Sequence, residues 1–282
     1  MNISYLPPYF VAASLFIFGL IVGSFLNVVI HRIPLEESIV LPSSHCPSCG
    51  VAIKPYDNIP VLSYILLRGR CRNCHLGISP IYPAIELLTG CLYLFVYWAD
   101  GLHPKLATDI VFVSLMIPLV FIDLEHMILP NVITYPGFVL SFVMRLFVPG
   151  PSKLNLLRMA VGLQNLPAWA VSALASLVGA LIGAGIIWAI REAYFRLKKV
   201  EGMGPGDVKL MLMVGAYLGW QLSLLTILLG SLGGSIIGVI VIALKRGSMK
   251  TQIPFGVFLG PAAIIALFFG PRFIAWYLGM LR

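Results

Sequence analysis

The sequence predicts an all-α polytopic membrane protein with a small zinc-binding insertion, and three observations carry that expectation. The first is composition: of 282 residues, 59% are hydrophobic and 11% charged, where a soluble domain of this size carries roughly twice that charge. The second is a recurrence of apolar runs of about 17–25 residues, the length that crosses a hydrocarbon core as a helix. The third is an early interruption of that pattern, residues 31–82, which holds four of the five cysteines as two Cys-x-x-Cys pairs.

Taken in order, about eight spans are expected: 10–30, 83–99, 106–122, 132–148, 170–190, 208–220, 222–244 and 255–280. The first lacks a preceding Lys or Arg and a small-residue cleavage signal, so it reads as a span and not as a secretory signal. Glycines spread through 179–185 and 230–238 suit close helix–helix approach. The expected organisation is a first helix over 1–30, a four-cysteine module over 31–82 and a membrane core over 83–282. Lys and Arg concentrate in the connections 31–82, 191–209 and 245–253, which hold 13 of the 19. That bias places those connections on the cytoplasmic side and both termini outside. The net charge of +8 is then a membrane-orientation signal, and no nucleic-acid partner is needed to explain it.

The module's ligand candidates are Cys46, Cys49, Cys71 and Cys74, in "CPSCG" and "CRNCH". Each pair delivers two thiolates from one tight turn, and two such turns complete a tetrahedron, the pattern of a structural zinc site. A segment of about 50 residues buries little core, so a metal would supply folding energy. Redox or disulfide cysteines are the competing reading, disfavoured on a cytoplasmic face where thiols stay reduced. His45 and His75 read as bystanders, and Cys91, inside the second span, as a small buried apolar residue.

The acidic residues are few enough for their positions to matter. Asp123 closes the third span in "LVFIDLEHMILPN", and Asp207 opens the sixth in "GPGDVKLMLMVG". Ionisable groups at membrane depth are expensive and mark candidate functional sites; the bland alternative for each is an interfacial cap. The sixth span is short, so either the bilayer thins there or Asp207 sits in a recess below the interface. Gly204 and Gly206 allow close approaches that a side chain would forbid, and Pro205 stiffens the turn. Facing carboxylates can share a proton and activate water. On dipole grounds Asp123, at a helix C-terminal end, is expected to hold the proton, and Asp207, at an N-terminus, to act as base. Lys209 either tunes this pair or anchors the helix at the interface. Glu125 and His126 read as residues of a wet loop.

These motifs together resemble the type IV prepilin peptidases. The resemblance rests on Gly-x-Gly-Asp (Gly204 to Asp207), "FIDLEHMILPN", "IPFG" (Ile253 to Gly256), "GSFLNVVIHRIP" (Gly23 to Pro34) and "YDNIPVLSYILLRGRCRNC" (Tyr56 to Cys74). It runs in order from about residue 19 to 265. The Gly-x-Gly-Asp motif alone would be weak, because presenilin-like intramembrane proteases share it. The resemblance implies removal of the basic leader of type IV prepilins and type II secretion pseudopilins, after a Gly, at the cytoplasmic face of the bacterial inner membrane. The family's two catalytic aspartates fall on Asp123 and Asp207. Members with the four-cysteine module also N-methylate the new terminal residue with S-adenosylmethionine. Two positions depart from the usual pattern: Pro205 inside the glycine motif, and Glu125 where an Asp is more usual.

No glycine-rich nucleotide-binding turn is present to mark the methyl-donor site. Asn27, Asp57 and Glu86, polar residues near the module, are the candidates, with packing hydrogen bonds and loop caps as their plainer roles. A peptidase-only enzyme with a substrate-docking module is the closest rival. A proton- or cation-coupled transporter using the two aspartates would come from another class, but no inverted repeat of broken helices is evident.

Overall fold

The structure is a computed structural model and describes residues 7–148, 167–200, 202–244 and 254–280. Lys153, Arg158, the basic connection 245–250 and Ile253 lie outside the described residues. The helices are α1 (Pro8–Arg32), α2 (Leu62–Leu66), α3 (Ile81–Asp100), α4 (Pro104–His126), α5 (Asn131–Phe147), α6 (Ala168–Lys198), α7 (Pro205–Leu218), α8 (Trp220–Ala243) and α9 (Gly256–Met280). Every expected span is a helix. Among the described residues, six helices are long and apolar enough to cross a membrane: α1, α3, α4, α6, α8 and α9. The other two expected spans are shorter, α5 with 17 residues and α7 with 14. At 1.5 Å per residue α7 reaches only about 21 Å. It is cut from α8 at Gly219, whose φ of 80° stops the helix.

The chain folds as two compact bodies, residues 1–118 and 119–282. In the first body α1 lies directly on α3 because neither backbone carries bulk at the contact. A Cβ on Gly19 would sit 2.7 Å from Gly90 Cα, and one on Gly23 2.7 Å from Glu86 Cα. This Gly-x-x-x-Gly spacing puts both glycines on one helix face. The buried Tyr93 of α3 shares a 2.7 Å hydrogen bond with Ser114 of α4. Lys105 joins Asp100 at 2.5 Å and the fully buried Asp109 at 2.7 Å, tying the α3–α4 turn. Cys91 is exposed on α3, not buried as expected: its position on the helix points away from the α1 contact, where apolar surface meets lipid.

In the second body α7 is the buried centre. Met211, Met213, Val214 and Tyr217 are fully enclosed. Gly179 and Gly183 of α6 let α7 approach closely; a Cβ on Gly179 would lie 2.7 Å from Gly219 Cα. Ser176 donates to the Ala216 carbonyl at 2.7 Å. On the other flank the buried Arg145 of α5 donates through Nε to the Tyr217 carbonyl at 2.5 Å and stacks over that ring at 3.9 Å. A guanidinium in this setting serves as a polar rivet between α5 and α7.

Candidate active site and candidate metal centre

In the second body, three chain segments converge on two carboxylates. Asp207 sits in the first turn of α7, 6% exposed, with Gly204 as N-cap and Pro205 at the first helical position. The approach to that turn is fixed from α6: Arg191 donates to the Met203 carbonyl at 3.1 Å, and Gly202 lies so close to Tyr194 that a Cβ would meet the ring at 2.5 Å. The Asp207 carboxylate folds back onto the backbone N–H of Gly204.

Asp123, 5% exposed, lies near the end of α4, but its carboxylate belongs to another helix start. Oδ2 accepts the Val257 N–H at 3.1 Å and the carboxylate also accepts the Gly256 N–H. These are the first two residues of α9, so Asp123 caps the positive end of that helix. The reason given by sequence for leaving the proton on Asp123, its place at a helix C-terminus, is therefore removed: two amides stabilise negative charge on its carboxylate. The two carboxylates are electrostatic neighbours.

Leu129, nine-tenths buried, closes the floor between them. A Cβ on Gly206 would come within 2.9 Å of Leu129 Cβ, and one on Gly256 within 2.6 Å of Asp123 Oδ2 and 3.2 Å of Leu129 Cδ1. Gly206 thus meets the expectation of a close approach. Gly204 does not: its φ is −71°, and its nearest contacts, Gly206 N at 3.8 Å and Asp207 Oδ2 at 3.9 Å, are ordinary. Lys209 reaches across to α5, donating to Asn131 Oδ1 at 2.7 Å with its ammonium 5.4 Å from the Tyr135 ring centre. Glu125 and His126 are exposed beyond the end of this site. Sequence reasoning missed Leu129, Asn131 and the amides of Gly256 and Val257; "ILPN" and "PFG" were visible as motifs, without a residue type that announces chemistry.

In the first body, Cys46, Cys49, Cys71 and Cys74 bring their Sγ atoms within 4.8 Å of one another, with Cys46 and Cys74 at 3.8 Å. A tetrahedral zinc with bonds of about 2.3 Å requires sulfurs about 3.8 Å apart, so the set fits that ion. The two knuckles share one backbone design. The amide of Cys46 bonds to the Val51 carbonyl and that of Cys71 to the Leu76 carbonyl, each at 2.9 Å. Gly50 and His75 take the same left-handed turn, φ 70° and 58°. His75 is therefore a turn residue.

Backbone amides point at the sulfurs: those of Cys49 and Ser48 pull the Cys46 thiol below its usual range, and that of Val51 does so for Cys49. At Cys74 the Leu76 amide acts in the same direction. Desolvation and the three neighbouring sulfurs nevertheless push that thiol up to about 11. Four sulfurs gathered this closely could hold a metal cation among them.

The expected methyl-donor candidates all hold structure together. Asn27 donates to the Tyr82 carbonyl at 3.0 Å. Glu86 accepts the Val61 N–H at 2.7 Å and bonds to the Ser24 hydroxyl. Asp57 receives Arg72 on both oxygens, Nε at 3.0 and 2.8 Å and NH2 at 2.5 Å, and that guanidinium holds its carboxyl below the usual carboxylate range.

A pair of buried carboxylates in one body and a cluster of four cysteines in the other mark a multi-pass helical membrane protein with two candidate sites. Residues 17–99 match the bacterial peptidase A24 N-terminal domain, and residues 110–239 match the type IV leader peptidase family. The chain is 38% identical over 256 residues to a protein of Myxococcus xanthus, covering 89% of this chain and 70% of that one. It is 35% identical to relatives in Pseudomonas aeruginosa (92% of this chain, 91% of the relative) and Aeromonas salmonicida (96% and 95%). All three relatives are named prepilin leader peptidase/N-methyltransferase. No solved structure matches the chain. The chain belongs to the type IV leader peptidase family.

Proposed function

We propose that this chain is a prepilin-processing enzyme that cleaves the leader from type IV prepilins and then N-methylates the new terminus, with Asp123 and Asp207 as its catalytic pair. The observation that carries the peptidase reading is the placement of two buried carboxylates at the starts of two helices, each held by backbone N–H groups. Asp123, with two amides on it, is the base; Asp207 carries the shared proton. Water attacks the scissile carbonyl carbon as Asp123 takes one of its protons and Asp207 gives its own to the carbonyl oxygen. On collapse of the tetrahedral intermediate the C–N bond breaks, the leaving nitrogen takes the proton held by Asp123, and Asp207 recovers a proton from the diol hydroxyl as the carbonyl re-forms. The pair titrates as a unit.

S-adenosylmethionine supplies an electrophilic methyl group on a sulfonium. To receive that methyl group the new amine would have to be in its neutral form, with a proton lost to solvent. The four cysteines hold a structural zinc, which crosslinks the two knuckles. In this reading residues 31–82 form the zinc module on the cytoplasmic side of the inner membrane, residues 1–30 precede it as one span, and residues 83–282 form the core. Both termini lie outside. Pseudopilins of type II secretion carry the same class of cleavage site and are substrates as well.

Mass spectrometry of the N-terminus of a co-expressed prepilin tests this. Wild type yields cleaved, methylated product, and Asp207→Ala or Asp123→Ala yields only full-length prepilin. Cleavage surviving in either Ala variant would end the dyad assignment.

A further inference from the structure

The first body contains a cavity of about 760 Å³ between α1 and the module, lined by Ile21, Ser24, Val28 and Arg32 on one side and by Asn58 and Pro60 on the other. Two features distinguish it from a packing void. Arg32, 6% exposed, lines its end. Its guanidinium donates to two neutral carbonyls, Ser38 at 2.9 Å and Pro42 at 2.8 Å, and no carboxylate pairs with it among the described residues. A buried cation left with neutral partners is costly, and an anion entering the cavity is its electrostatic complement.

The second feature is the opposite wall, which is held in a strained shape. Val61 has φ 61° and ψ −48°, and Leu62 N–H bonds back to the Pro60 carbonyl at 2.6 Å. This is a three-residue turn of the rare positive-φ kind, on a β-branched residue that resists it. Such backbone persists only where its surroundings hold it. Here the holder is Glu86, which takes the Val61 N–H and the hydroxyl of Ser24. Ser24 is on the α1 wall, so one buried carboxylate clamps both walls and sets the width between them.

We propose that this cavity is the methyl-donor pocket, with Arg32 binding the carboxylate of S-adenosylmethionine and Glu86 acting as the positioning residue that fixes the pocket's width. The inference rests on the methyltransferase reading above. The volume falls in the range of roughly 300–1,000 Å³ usual for cofactor pockets. Its chemistry is divided as the ligand's is. The apolar side chains of Ile21 and Val28 suit the adenine face and the thioether carbons, the Asn58 amide suits the adenine edge, and the single buried charge is opposite in sign to a carboxylate.

The test is calorimetric titration of the full-length, zinc-loaded protein in phosphatidylcholine nanodiscs. The probes are S-adenosylhomocysteine and 5′-methylthioadenosine, which lacks the amino-acid carboxylate. Wild type is expected to bind S-adenosylhomocysteine saturably. Arg32→Gln should weaken it by about tenfold or more, the loss of a charge-assisted contact, while leaving 5′-methylthioadenosine unchanged. Val28→Trp, which fills the cavity from a helix face and keeps Arg32, should weaken both probes by at least as much.

Equal binding of S-adenosylhomocysteine by wild type and by a Val28→Trp protein of unchanged zinc content and melting temperature would overturn the pocket and leave the methyltransferase reading standing. Loss of a co-purified phospholipid from Val28→Trp, with probe binding intact, would assign the cavity to lipid and also overturn it. No binding by wild type would bring down both.

Discussion

Gly256 offers the sharpest check on the carboxylate geometry. It is the first residue of α9, and its amide and that of Val257 hold Asp123. A methyl group there would lie 2.6 Å from Asp123 Oδ2 and 3.2 Å from Leu129 Cδ1. Restoring the 3.4 Å of ordinary contact moves the carboxylate or the helix start by about 0.8 Å, with Leu129 blocking retreat on one side. The Val257 hydrogen bond, 3.1 Å in the native site, then lengthens beyond useful range. A misplacement near 1 Å costs on the order of 10²-fold in rate. Gly256→Ala is therefore expected to lower kcat for leader cleavage by about 30–100-fold, roughly 2–3 kcal/mol of barrier, with KM little changed. The assay is cleavage of a purified prepilin in detergent, with product quantified by mass spectrometry. Gly185→Ala, whose new methyl meets nothing within 4 Å, is the matched control and should cleave at the wild-type rate. A Gly256→Ala enzyme within twofold of wild type would refute the placement of Asp123 against the α9 start.

Three further outcomes follow from the first body. Purified protein should release about one zinc per chain to a chromogenic chelator after thiol modification, and Cys46→Ser or Cys74→Ser should release almost none; full metal content in either would exclude the four-sulfur site. Val61→Gly should stabilise the protein in detergent by about 0.5–1 kcal/mol, because relief of about 1–2 kcal/mol of left-handed strain exceeds the entropic cost of glycine. A lowered melting temperature would show that the turn is unstrained. Asp57→Asn should lower the melting temperature at neutral pH. Arg72 depresses the Asp57 carboxyl, so this contribution is complete above the ordinary value near 3.9 and is lost as pH falls through the lower native value. The two proteins should thus converge in acid, and a constant difference down to pH 2 would rule out the ion pair as the cause.

The chain's own order of residues determined the membrane helices, because length and apolarity are local properties that the bilayer reads directly. It also singled out the four sulfurs that the fold clusters, since two Cys-x-x-Cys turns can present thiols in few ways, and the two aspartates that the fold makes electrostatic neighbours, whose cost at membrane depth marks them. Tertiary structure decided what those groups do to one another. Asp123 ends α4 in sequence, yet its carboxylate caps α9, 134 residues away, and only the fold could bring a helix start to it. Glu86 is one acid in an apolar run until α1 and the Pro60–Leu62 turn close on it from both sides. Lys209, adjacent in sequence to the glycine motif, turns to Asn131 on α5. Hydrogen-bond partners of this kind are set by packing between distant segments, and side-chain chemistry along the chain carries no record of which backbone amide will meet it.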